Sequence, residues 1–260
     1  MTQPTTIIID EVFIPIYVIL FIGTLICGFK NGFSRSAGFF SLVLFAAIRI
    51  AANAVLVYDY HDNYKNTNLI TTGYLLQGLG FSFLVTSTLS FLTAAHGDTT
   101  GTDYSAKGAP KRPWLLRILH LVSIGALILL ITGYTNSDSV FSGQGGKIDS
   151  KARIGDIIFC GLTIVCIIFA FITLPKASSY GRSILYRVLL ALVFMAIRIG
   201  FGTWRTYQNN FLSVNIWVKL VLQYIPEVLT VIIYITVGFI KREEYIPKYD
   251  SAYPMQEGYA

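Results

Sequence analysis

Charge is what this chain has least of. Of its 260 residues 13% are charged, against roughly 25% in soluble domains, and the charges present lie between long apolar runs. An ordinary water-soluble domain is excluded. Cysteine is sparse as well: the three copies, Cys27, Cys160 and Cys166, all fall inside apolar runs. They are too few for an extracellular disulfide framework or a tetrahedral metal site, and read as small packed side chains. Of three histidines, His120 alone falls inside a predicted helix, while His61 and His96 fall in predicted loops. The paired imidazoles that a membrane haem or a zinc centre needs are missing, so no metal and no cofactor is expected. The chain also lacks a glycine-rich phosphate loop and a serine-histidine-acid set. No Lys or Arg precedes its first apolar run, which argues against a cleaved signal peptide and for a retained first helix.

What is there is hydrophobic: 54% of the residues, 14% of the chain aromatic, and a mean hydropathy of +0.61. A bilayer core about 30 Å thick takes about 20 helical residues to cross, and lipid admits only helices or closed barrels as spanning structures. Seven runs qualify as helices: residues 12–29, 37–58, 69–94, 114–134, 154–174, 183–204 and 214–240. The expected fold is therefore all-α, a polytopic seven-transmembrane-helix bundle over residues 1–240 with a disordered cytoplasmic tail at 241–260.

Basic residues orient it. Ten Lys and Arg fall in loops and tail on one side, among them Lys30, Arg35, Lys107, Lys111, Lys241 and Arg242, against five on the other. The positive-inside rule puts the N-terminus outside, or in a lumen, and the C-terminus in the cytoplasm. The net charge of +6 belongs to those cytoplasmic loops and to anionic lipid. No basic stripe interleaved with aromatics points to nucleic acid. Membrane lipid is the expected partner.

An internal repeat organises the chain. LVLFAAIRIAAN at Leu42 to Asn53 recurs as ALVFMAIRIGFG at Ala191 to Gly202, with Arg49 and Arg198 offset by 149 positions. Gln77 and Gln223, and Asp10 and Asp156, are each offset by 146. These landmarks suggest a three-helix unit used twice, with the fourth helix as linker and a pseudo-symmetry axis along the bilayer normal. Each arginine copy carries a small pair, Ala47 with Ala51 and Ala196 with Gly200, expected to let a neighbouring backbone approach closely.

The intramembrane polar residues are the only chemistry on offer. A charge at mid-bilayer costs about 2.5–3.5 kcal/mol on insertion scales, so each should face the bundle interior with a partner. Arg49, Arg198 and Glu227 are the deepest. Lys219, Gln223, Glu227, Thr230 and Tyr234 follow helical spacing and form one inward stripe on the last helix. Asp156, Cys160 and Thr163 do the same on the fifth, and Arg49 and Asn53 on the second. Two arrangements are open: a polar-floored cavity toward the outer surface, or structural ion pairs in which Glu227 bridges one arginine and Asp156 the other. A void of about 300 Å³ or more would favour a ligand, and direct contacts the ion pairs.

Several specific readings fail on residues. A retinal protein needs a buried lysine mid-way along the last helix and an acid on the third, whereas Lys219 sits near a helix end and the third helix has no such acid. The seventh helix lacks the Asn-Pro turn of rhodopsin-like receptors, and the proline-glutamine signature of small sugar facilitators is absent. The chain does resemble a family of fungal seven-helix integral membrane proteins of unknown function. The resemblance rests on GFKNGFSRSAGFFSLVLFAAIRI from Gly28, LLQGLGFSFLVTSTLSFL from Leu75 and PEVLTVIIYITVG from Pro226. It implies a fungal source, seven helices and a setting in secondary metabolism, and it carries over no catalytic or ligand residue.

Three functions compete. In the first, the bundle binds a small, largely apolar organic molecule as a sensor or carrier, with Arg49, Arg198, Gln77, Gln223, Asn53, Lys219 and Tyr224 as ligand-facing groups. In the second, it is a membrane-embedded cyclase or isomerase, similar to terpene cyclases in size and in using an intramembrane acid. Glu227 is then the proton donor with Asp156 in reserve, and Tyr224, Phe201 and Trp204 shelter a cation. In the third, it is a non-catalytic scaffold or complex subunit that docks through its tyrosine-rich tail.

Overall fold

A computed structural model describes residues 4–31, 37–62, 67–99, 114–137, 140, 147–208 and 214–240. The tail beyond 240, and with it the docking segment of the scaffold reading, lies outside the described residues. Seven helices are long and apolar enough to cross a membrane. We label them α1 (Pro4–Asn31), α2 (Ala37–His61), α3 (Thr67–Thr99), α4 (Trp114–Thr135), α5 (Ser150–Thr173), α6 (Ser179–Tyr207) and α7 (Ile216–Val237). No strand occurs among the described residues.

Helix starts follow local chemistry. Asp149 caps α5 by accepting from the Lys151 N–H, Ser178 caps α6 through Gly181, and Asn215 caps α7 through Trp217. Each satisfies a donor that the first helical turn leaves over. The helices α3 and α6 run past the predicted apolar windows at both ends, because backbone bonding continues into polar residues that hydropathy leaves out.

Neighbours in sequence are neighbours in space, and α7 closes the ring against α1. The helix α3 departs from this order by touching α5 and α6 as well as α2 and α4. That places it at the centre: 61% of its most apolar stretch is buried inside the protein, against 28% for α4. It is also the least apolar of the seven, as expected of a helix whose surroundings are protein rather than acyl chains. Around it α1, α4 and α5 expose rows of Ile, Val and Phe, among them Ile19, Ile128, Ile164 and Phe171.

The small pairs on α2 and α6 do not do what the repeat suggested. Gly200 faces open space, Ala51 is exposed, and Ala47 and Ala196 are only half-buried. The arginines, which cannot face lipid, turn inward and carry the small residues outward on the opposite face. The close approach lies instead between α4 and α5. A Cβ added to Gly133 would run into the Ala152 backbone nitrogen, and one on Gly155 would stand 2.9 Å from the Ala126 carbonyl oxygen.

The helix α7 is irregular. Its α-helical start, Ile216–Lys219, passes through a π-helical turn at Leu220–Tyr224 into the α-helix Ile225–Val237. The cause is Pro226, which has no N–H to give the Leu222 carbonyl and whose ring crowds it. The chain widens by one residue, and the Ile225 N–H reaches back to Leu220. The wide turn also lets the sequence neighbours Gln223 and Tyr224 both point inward.

Candidate functional site

The inward stripe of α7 is as the sequence suggested: Lys219, Gln223, Glu227, Thr230 and Tyr234 are all buried. Glu227 is the hub. Its Oε1 accepts from Arg49 Nη2 of α2 and from Arg198 Nε of α6, and its Oε2 accepts from the Tyr17 hydroxyl of α1 at 2.9 Å. Four helices meet on one carboxylate. Both arginines therefore close on Glu227, in place of the division between Glu227 and Asp156 that was one expectation. The Arg49 side chain is fully buried, and its Nε and Nη1 have no partner among the described residues.

A second cluster joins α1, α2, α3 and α7 nearer the helix ends. Lys219 Nζ lies 3.0 and 3.1 Å from the two Asp10 oxygens. The Tyr224 hydroxyl donates to Asp10 Oδ1, and Asn53 Oδ1 lies 3.4 Å from the same hydroxyl. Gln77 Nε2 stands 3.4 Å from it, and Gln223 Nε2 donates to Gln77 Oε1 at 3.1 Å. Thus Asp10, Asn53, Gln77, Lys219, Gln223 and Tyr224 form one chain of contacts. Without water to satisfy stray donors, such internal closure is what a bilayer demands.

Beside these clusters, between α3, α4, α5, α6 and α7, lies a cavity of about 40 Å³. A water molecule occupies roughly 10–15 Å³ on this measure, so the space holds a few waters or the end of a ligand, not a drug-sized molecule. Asp156, Arg198, Arg205, Gln77, Gln223, Tyr74 and Tyr134 supply its polar wall, and Phe81, Leu130, Ile199 and Phe201 its apolar one. Arg198 stands over the Phe81 ring at 5.8 Å and Arg205 over the Tyr74 ring at 4.9 Å. The Asp156 carboxyl, 8% exposed, has the Thr206 hydroxyl in reach, while its Oδ2 has no hydrogen-bond partner among the described residues.

The expected ligand residues therefore divide. Arg198, Gln77 and Gln223 line the cavity with Asp156, whereas Arg49, Asn53, Lys219, Tyr224 and Glu227 are engaged in internal contacts away from it. Phe201 is in the wall, and Trp204 packs against it at 5.9 Å while half-exposed. Sequence reasoning missed Tyr17, Tyr74, Tyr134 and Arg205. Arg205 lies one residue beyond the predicted apolar run at 183–204, whereas the helix continues to Tyr207. The tyrosines carried no signal beyond sitting in apolar runs, where a phenol reads as an interface anchor.

Among the described residues no three His, Cys, Asp or Glu side chains gather as metal ligands do. Cys160 Sγ lies 3.3 Å from the Thr203 hydroxyl, and Cys27 and Cys166 are buried. A protein-family model matches residues 2–244, nearly the whole chain. No curated protein and no solved structure matches it.

Proposed function

The chain belongs to the family described as a domain of unknown function, DUF7702, and we propose, from the cavity, that the bundle is a membrane-embedded binder, a sensor or carrier, of a small and largely apolar organic molecule. The ligand's polar end enters the cavity beside Asp156, and its apolar part packs on Phe81, Leu130, Ile199 and Phe201. One observation carries the reading: Asp156, a buried acid with one carboxylate oxygen that has no hydrogen-bond partner among the described residues, lines a cavity. A group left so in a low-dielectric interior costs stability unless something meets it. In the orientation we assign, with the N-terminus outside, the cavity lies in the outer half.

Proton donation by Glu227 draws no support from the geometry. Its oxygens accept from two guanidinium groups and a phenol, which suits an anchor between helices. Asp156 is the carboxyl better placed to meet a ligand.

The test is thermal unfolding of the purified protein in lipid nanodiscs, titrated with 1-octanol, octanoate and octylamine. At least one probe should raise the unfolding midpoint saturably in the wild type and not in Gly202→Leu, which fills the cavity wall. Equal responses from both proteins, or none, would contradict the reading.

A further inference from the structure

The two clusters of carboxylate chemistry invite comparison position by position. Asp10, Phe13, Tyr17, Leu20, Thr24 and Cys27 of α1 are buried, and so are the residues 146 positions later on α5, Asp156, Phe159, Thr163, Cys166, Ala170 and Thr173. Two contacts between α3 and α7 join positions that differ by that same 146: Gln77 with Gln223, and the Thr88 hydroxyl with the Tyr234 hydroxyl at 2.6 Å. Equivalent helices meet in this way across an axis between them. Contacts between helices agree, since α1 packs on α7 as α5 packs on α3, and α1 packs on α2 as α5 packs on α6.

Under that correspondence Asp10 and Asp156 are met by different groups: Asp156 has the Thr206 hydroxyl in reach. Asp10 is met by the Tyr224 phenol, which also reaches Asn53, and by the Lys219 ammonium. The counterparts of Tyr224 and Asn53 are Gly78 and Gly202, and both glycines line the cavity at Asp156. Lys219 precedes the π turn, which adds one residue to α7, so the position it matches on α3 shifts from Gly73 to Tyr74, a residue of the cavity wall. Where Tyr224 of α7 and Asn53 of α2 fill the site at Asp10, the matching positions of α3 and α6 at Asp156 are glycines and leave space.

We infer that the Asp156 cavity is the open twin of a site the chain fills for itself at Asp10, and that it takes a neutral molecule bearing a hydroxyl group, a phenol or an alcohol, which donates to Asp156 as Tyr224 donates to Asp10. This rests on the ligand-binding reading of the cavity and names the chemistry of its ligand. A hydroxyl is favoured over an ammonium because Arg198 and Arg205 stand in the same wall and repel a cation in a low dielectric. A carboxylate is disfavoured because it would face Asp156. A hydroxyl in the cavity donates to the Asp156 carboxyl, and a site built around such a bond rejects analogues without it.

Four probes of similar shape separate the outcomes: 4-butylphenol, butylbenzene, 4-butylbenzoate and 4-butylbenzylamine, titrated into the full-length protein in nanodiscs and read by saturable shifts of the unfolding midpoint. The expectation is that 4-butylphenol binds at least about tenfold more tightly than the others, and that Asp156→Asn weakens it by about tenfold. Gly78→Tyr, which returns the missing phenol to the chain, should abolish binding. Its new Cβ meets Leu130 Cδ2 at 2.8 Å and Tyr134 Cε2 at 3.5 Å, side-chain ends that can turn aside, and its own unfolding transition reports whether it folds. Gly202→Asn is the second blocking variant, with only Arg198 Nη1 at 3.0 Å in its way. If the benzoate or the benzylamine binds more tightly, and Gly202→Asn abolishes that binding, the cavity stands as a ligand site and the hydroxyl inference falls. Binding of 4-butylphenol that survives both glycine variants overturns the location. Absence of saturable binding by all four overturns the cavity reading and the inference together.

Discussion

Glu227 collects two guanidinium groups and a phenol because no solvent at that depth would satisfy them otherwise. The phenol gives the cleanest test, since Tyr17→Phe removes one hydroxyl from a fully buried ring and leaves the ring in place. A hydrogen bond to a charged acceptor contributes about 1.5–3 kcal/mol, so Tyr17→Phe should lower unfolding stability in nanodiscs by that amount. Tyr186→Phe, at a residue 57% exposed, should change it by no more than about 0.5 kcal/mol. Equal small effects would mean that the Tyr17 contact contributes nothing. At this scale the inward stripe of α7 was legible because five polar residues at helical spacing in an apolar helix leave no other choice of face. Which acid meets which base was not legible. The pairing of Asp10 with Lys219 depends on α7 closing the ring beside α1, and no local pattern in the sequence encodes that neighbour.

Among the elements, helix existence followed from hydropathy, while the closest packing did not. The Ala47–Ala51 and Ala196–Gly200 pairs looked like a contact face and point outward, whereas Gly133 and Gly155 hold α4 against α5. A small residue tolerates either lipid or a neighbour, but an arginine tolerates only the interior, so the arginine decides how the helix is turned. Substitution separates the two kinds of glycine. Gly133→Leu drives a side chain into the Ala152 backbone and should destabilise by about 1–3 kcal/mol or fail to fold. Gly200→Leu, in open space, should stay within about 0.5 kcal/mol of the wild type. Comparing folded yield and unfolding midpoint for the pair checks it, and the reverse order would place the tight interface on α6. The π turn in α7 had one visible signal, Pro226, although a proline alone does not say whether a helix kinks or widens.

For the molecule as a whole, scarcity of charge and seven apolar runs were enough to establish a seven-helix membrane bundle, and the described structure has that form. The central position of α3 was not foreseen, although its lower apolarity was visible. Nor was the small size of the cavity, which depends on how Leu130, Tyr134 and the glycines of α3 and α6 fit together. Lipid forces the buried charges of separate helices onto one another. The most direct measurement is a double-mutant cycle between α2 and α7, using Arg49→Met, Glu227→Leu and the double variant, with unfolding free energies measured in nanodiscs. Glu227→Leu leaves the buried guanidinium groups of Arg49 and Arg198 without their carboxylate and should cost about 3–5 kcal/mol, whereas Arg49→Met leaves Glu227 held by Arg198 and Tyr17 and should cost less. The double variant should be no less stable than Glu227→Leu alone, because it removes one of the two guanidinium groups left unpaired, giving a coupling of about 1–3 kcal/mol. Effects that add within about 0.5 kcal/mol would show that Arg49 and Glu227 do not meet, and would contradict the account.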